Sequence, residues 1–144
     1  MLLVGKKRVL FVCVHNSARS QMAEAYLTRH ASDRFEVDSA GLEPGTINPY
    51  VVEVMKEEGV DLTGKKTNSA FDFLKEGRTY DIVVTVCDET SGQHCPIFPG
   101  QSRRLHWGFD DPSSFTGTEE EIKTRVREVR DSIKEKILQF IQTA

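Results

Sequence analysis

Between Arg8 and His30 the chain changes periodicity within a few residues, and that change restricts the fold more than any other feature. Arg8-Val9-Leu10-Phe11-Val12 is β-branched and aromatic, apolar after its first residue, as in a parallel strand buried on both faces. From about Ala18 to His30 the spacing is helical, with Met22, Ala25, Tyr26 and the stem of Arg29 expected on the inner side. A buried strand that runs at once into a helix opens a βα unit. Such units stack into a parallel sheet covered by helices.

Later punctuation keeps the alternation. Phe35–Ala40 reads as a second strand ending at Gly41. Asn48 and Pro49 supply an N-cap and a proline at N1, and Gly59 closes that helix. Its inner face is expected to carry Val51, Val54, Met55 and Glu58. Ser69–Glu76 is a short helix stopped by Gly77; Asp81–Val86 is apolar enough for a central strand, and Ser102–His106 suits the sheet edge. Thr118 and Glu121 form a capping-box pair before a stripe of Ile122, Val126, Val129, Ile133, Ile137 and Phe140, which marks a long helix docked on the sheet. Residues 1–144 are expected to form one three-layer α/β domain. In such sheets ligands bind beyond the carboxyl ends of the strands.

Cys13 stands at such an end, within Cys13-Val14-His15-Asn16-Ser17-Ala18-Arg19-Ser20. Free N–H groups at a helix N-terminus favour an anion, and successive N–H groups in a turn make an anion-binding nest. Arg19 adds a planar fork suited to two oxygens of a tetrahedral oxyanion. The same field favours thiolate over thiol, because cysteine pKa falls to about 3.5–7.5 at helix N-termini or beside cations. Ser20 is placed to donate a hydrogen bond to the sulfur. Cys13 is therefore a candidate nucleophile, cupped by residues Val14, His15, Asn16, Ser17, Ala18, Arg19 and Ser20, with His15 contributing its backbone N–H.

Composition narrows the partners. A net charge of −3 and a pI near 5.8 give no basic surface for nucleic acid, and no apolar run is long enough to span a bilayer. Three cysteines, an odd number, argue against a disulfide framework and fit a reducing, cytoplasmic setting. Cys87 follows the strand Asp81–Val86 as Cys13 follows the first. If the two strands are neighbours, their ends lie about 5 Å apart, within the roughly 4.4–6.8 Å between Cα atoms that a disulfide spans. Cys95 lies beyond a polar segment, residues 88–94; a helix there would hold it about 12 Å from Cys87, so pairing them requires that segment to unwind. Taken singly, Cys87 and Cys95 fit an ordinary strand end and loop; taken together with Cys13, the three thiols suit a relay. Cys87, His94 and Cys95 lack the fourth ligand and the close spacing of a zinc site.

An acid is expected on His106-Trp107-Gly108-Phe109-Asp110-Asp111-Pro112, after the edge strand. Asp111 is the first choice to protonate a leaving oxygen, because Pro112 restricts its backbone. Asp110 is the fallback. His106 and Trp107 are expected to pack, and His30 to lie at a helix-end surface.

These stretches, together with Val12-Cys13, Arg19-Ser20-Gln21-Met22-Ala23-Glu24, Ser39-Ala40-Gly41, Asn48-Pro49, Val83–Cys87 and Cys95-Pro96, give a chain that resembles the thioredoxin-coupled arsenate reductases built on the low-molecular-weight tyrosine phosphatase fold. The resemblance implies a four-stranded parallel sheet in the order 2-1-3-4. It implies that Cys13 attacks arsenate (with phosphate or sulfate as mimics), held by the loop amides and Arg19, while Asp111 acts as acid. Cys87 then attacks Cys13 and releases arsenite, and Cys95 attacks Cys87 to export a Cys87–Cys95 disulfide to thioredoxin. No bound cofactor is implied, and a monomer is expected. Asn16, Glu24 and Ser39 match the ligands of a monovalent cation that some members bind, but Asn68 stands where those members carry Asp, and no metal is expected. A phosphatase using Cys13, Arg19 and Asp111 is the alternative; Ser113 and Ser114 stand where such enzymes place aromatics, and Ala18 where many carry a second cysteine.

Overall fold

The computed structural model describes residues 6–86, 98, 100 and 102–143. Four strands, β1 (Lys7–Cys13), β2 (Phe35–Gly41), β3 (Ile82–Thr85) and β4 (Arg103–His106), form one parallel sheet in the order β2-β1-β3-β4. This is the expected topology. β1 and β3 are buried along nearly their whole length, as their unbroken apolar runs require, whereas β4 is largely exposed at the edge. Register places Cys13 beside Gly41, Val12 beside Thr85, and Thr85 beside His106. The carboxyl ends of all four strands therefore share one rim. Chain order runs outward from β1 in both directions, so the switch point lies between β1 and β3, beside Cys13.

Helices α1 (Arg19–Ala31), α2 (Pro49–Glu57), α3 (Ala70–Lys75) and α4 (Glu119–Thr143) cover the sheet. Side chains alternate across β1, and the core divides accordingly. Val9, Phe11 and Cys13 pack with α1, α2 and α4, while Leu10 and Val12 pack with Ala70 and Phe73 of α3, with Tyr80 and with Phe98. Asn48 accepts from Tyr50 N and Thr118 from Glu121 N, the caps read from sequence, while Ser69, read there as the first residue of a helix, instead caps α3 by accepting from Asp72 N; Gly59 and Gly77 take positive φ just past their helices. Val126, Val129, Ile133, Ile137 and Phe140 of α4 are buried as expected, and Ile122 half-buried.

Three expectations of burial are corrected. On α1, Ala23 and Leu27 join Met22 and Tyr26 in the core, while Ala25 is only half-buried and Arg29 is exposed, because the helix packs against both the sheet and α4, which turns the buried face away from the expected stripe. Glu58 is half-buried, its carboxylate shared between Lys134 Nζ at 3.1 Å and the Tyr26 hydroxyl at 3.3 Å. His106 does not pack. Its ring is exposed at the edge strand and meets Thr85 Oγ1 at 2.6 Å. Trp107 is the packing residue, with its ring against Phe11 and Phe140.

Candidate active site

The loop from Cys13 to Ser20 is fixed from beneath. Asn16 has φ of 55°, a left-handed conformation that asparagine tolerates better than most residues, and it is fully buried. Its Oδ1 accepts from Asn68 N at 2.9 Å and from Gln21 Nε2 at 3.0 Å. A backbone N–H can only donate, so the oxygen end of the amide is settled and the Nδ2 end faces Ser20 Oγ at 2.7 Å. Ser20 Oγ thus receives one hydrogen from Asn16 and has its own left for Cys13 Sγ, 2.9 Å away. Asn16 N also donates to that sulfur, at 3.2 Å. The buried sulfur thus accepts from Asn16 N and shares a hydrogen bond with Ser20 Oγ, which donates when the sulfur is a thiolate.

Gly41 holds the loop close. A Cβ there would lie 2.8 Å from Asn16 N and His15 C and 2.9 Å from Val14 O, all backbone atoms. That closeness lets Leu42 N, Glu43 N and Gly45 N donate to the carbonyls of Cys13, Val14 and His15, turning the loop carbonyls outward. His15 itself is exposed, its ring Nδ1 against Glu43 O at 2.8 Å, so only its backbone belongs to the cradle. Ala18 takes the N-cap of α1 with no side-chain cap, which leaves the first-turn N–H groups of that helix facing the loop.

Arg19 is buried and reaches across to the rim. Its NH1 donates to Phe109 O at 3.1 Å and its NH2 lies 3.8 Å from Asp111 Oδ2, while Nε has no acceptor among the described residues. Asp111 caps a single 3-10 turn, Pro112–Ser114, its Oδ1 accepting from Ser113 N. This leaves Oδ2 free to face Arg19, with the side chain 38% exposed. Asp110 is exposed and lines a groove of about 680 Å³ between the Gly108–Asp110 stretch and α4, which does not include Cys13. Geometry therefore separates the two acids, and only Asp111 faces the cradle. Cys87 and Cys95 lie outside the described residues. Val86, the residue before Cys87, donates its N–H to Val12 O at 2.9 Å, next to Cys13.

Three residues important to this geometry had no chemical signal of their own in the sequence: Gln21 is buried and ties Asn16 to Lys66 O, Gly41 admits the loop, and Lys65 pairs with Glu24. Asn68, noted in the sequence only as a cation-site position, instead fixes the Asn16 amide through its backbone N–H. The residues suggested for a monovalent cation do not fit one. Asn16 Oδ1 already holds two N–H donors, the Ser39 hydroxyl donates to Glu24 Oε1, Asn68 turns its Nδ2 to Ser39 O, and the ammonium of Lys65 faces Glu24 Oε2. Among the described residues, no group of three or more His, Cys, Asp and Glu could hold a metal ion.

A model of the low molecular weight phosphotyrosine protein phosphatase family matches residues 8–144. The chain belongs to that family. Among its curated relatives is an arsenate reductase of Bacillus licheniformis, 40% identical over 142 residues, covering 97% of this chain and 99% of the relative. A solved arsenate reductase in its phosphate-binding state superposes with a TM-score of 0.72 at 30% identity, covering 95% of this chain and 98% of that one. The thioredoxin-dependent arsenate reductase of Corynebacterium glutamicum does so with a TM-score of 0.64 at 30% identity, over 96% of this chain and 65% of that one.

Proposed function

We propose that this chain reduces arsenate to arsenite through Cys13, Cys87 and Cys95, with thioredoxin returning the enzyme to its dithiol state. One observation carries this above all: a buried sulfur that accepts from Asn16 N and lies within hydrogen-bond distance of Ser20 Oγ, on the loop that also carries Arg19. A sulfur so surrounded is suited to negative charge, and the N-terminus of α1 and Arg19 Nε supply donors for the oxygens of a tetrahedral anion. The relatives named above add the substrate.

In the first step Cys13 attacks arsenic and an oxygen departs as water, protonated by Asp111 across the cradle. In the second, Cys87 attacks the Cys13 sulfur. The sulfur–arsenic bond breaks with its electron pair left on arsenic, so As(V) becomes As(III) while two thiols become one disulfide. Cys95 then attacks Cys87 and frees Cys13, and the dithiol of thioredoxin reduces the Cys87–Cys95 disulfide by exchange. The pairing of β1 with β3 supports the second step, since it sets the residues before Cys13 and Cys87 side by side. No described helix is long and apolar enough to cross a membrane. We place the enzyme in the cytoplasm, acting as a single-domain monomer on a free oxyanion.

Coupled turnover with arsenate, thioredoxin, thioredoxin reductase and NADPH tests the proposal. Cys13→Ser, Cys87→Ser and Cys95→Ser are each expected to lose multiple turnover, and Cys13→Ser alone to lose hydrolysis of aryl phosphates as well. Full multiple-turnover rates in both Cys87→Ser and Cys95→Ser would contradict the relay and favour a phosphatase that uses Cys13, Arg19 and Asp111.

A further inference from the structure

Below the loop lies a charged pair that the steps above do not use. Glu24 stands on α1, one turn past Ser20, with its side chain only 15% exposed, and the ammonium of Lys65 meets its Oε2. From there a continuous line of hydrogen bonds reaches the nucleophile. Ser39 Oγ donates to Glu24 Oε1 at 2.5 Å, and Asn68 Nδ2 donates to Ser39 O at 3.0 Å. Asn68 N holds Asn16 Oδ1 at 2.9 Å, Asn16 Nδ2 holds Ser20 Oγ at 2.7 Å, and Ser20 Oγ meets Cys13 Sγ at 2.9 Å.

A carboxylate this far from water needs a partner charge. Lys65 supplies it from the segment between α2 and α3, with its own side chain 32% exposed, so solvent reaches the pair from the Lys65 side. We infer that Lys65 is a positioning residue that acts as a tethered cation: its ammonium neutralises Glu24 and so sets the line of hydrogen bonds that holds Asn16 in its left-handed conformation under Cys13. Asn68 belongs to the same arrangement. A carboxylate at position 68 would bring a second negative charge to the cluster, which one ammonium cannot balance. The inference rests on the Cys13 loop being the oxyanion site.

The test uses inorganic phosphate as the probe, its binding measured by titration calorimetry in tetramethylammonium chloride and in potassium chloride at equal ionic strength. Wild type is expected to bind phosphate equally in both salts, and Lys65→Arg to follow it. Lys65→Ala is expected to bind on the order of tenfold more weakly in tetramethylammonium. Potassium should restore it, because a small cation can then enter beside Glu24 where the bulky one cannot. The double variant Glu24→Gln/Lys65→Ala has no buried charge to balance, so it should remain folded and respond to neither cation. Melting temperatures in both salts check folding in every case. Unchanged binding in Lys65→Ala, a loss that potassium does not relieve, or an equal potassium response in wild type would overturn the tethered cation. A wild type that binds no phosphate would overturn the oxyanion loop itself, and the role of Lys65 with it.

Discussion

At the residue scale the site depends on one asparagine whose backbone sits where few side chains are comfortable. Asn16 is held there because its amide is used at both ends, by Asn68 N and Gln21 Nε2 on the oxygen and by Ser20 on the nitrogen. Strain of this kind persists where its surroundings over-determine it. Gly41 is part of those surroundings. Gly41→Ala is expected to push Asn16 and His15 outward, costing about 1–3 kcal/mol, with phosphate binding falling further than the melting temperature alone would suggest; calorimetric titration beside thermal melts checks this. The two aspartates give a sharper contrast. Asp111→Asn should slow arsenate reduction by roughly 100-fold, whereas Asp110→Asn should leave it near wild type, as steady-state rates of the two variants will show. Cys13, Arg19 and Asp111 were legible in the chain because a thiol, a guanidinium and a carboxylate announce chemistry by type. Gly41, Gln21 and Lys65 were not, since each matters through a contact with a distant segment that no local pattern encodes.

At the element scale, α2 and α4 are fastened by a charged clamp. Arg127 grips Glu57 through two nitrogens, and Arg130, buried on the same helix, donates to Val54 O at 2.8 Å and to Glu57 Oε1 at 2.9 Å. The hydrogen bonds from Arg127, followed by those from Arg130, hold the Glu57 carboxyl at about 2, below its ordinary 4.5. A carboxyl depressed in the folded state stabilises the fold above its ordinary value, and that contribution fades as pH falls from 4.5 toward 2. Both Arg127 and Glu57 are more than a third open to water, so the effect is modest. Melting curves across that pH window should show Glu57→Gln losing less stability on acidification than wild type; parallel curves would contradict the clamp. Removing packing costs more: Ile133→Ala, at a fully buried position of α4, should lower stability by about 2–5 kcal/mol in denaturant titrations. Helix ends were readable because caps are local chemistry. The inner face of α1 is less legible because its packing against both the sheet and α4 is a tertiary fact, and so is the exposure of His106, whose ring at the end of an edge strand meets Thr85 on one side and solvent on the other.

For the whole molecule, the decisive fact is the order of four strands. Placing β1 between β2 and β3 brings the nucleophile loop, the support beneath it from Ser39 and Gly41, and the residue preceding Cys87 to one rim. Alternating strand and helix signals implied a parallel sheet, but periodicity by itself does not order strands; the order came from likeness to a known fold, and the structure agrees. Relay chemistry is the claim that most needs this arrangement, since it asks one sulfur to hand its bond to another. Peptide mapping of the Cys95→Ser variant after reaction with arsenate in the absence of thioredoxin tests it most directly. The account predicts one arsenite released per chain and a disulfide joining Cys13 to Cys87. Arsenite released with Cys13 and Cys87 both still free, or neither arsenite nor disulfide formed, would contradict it.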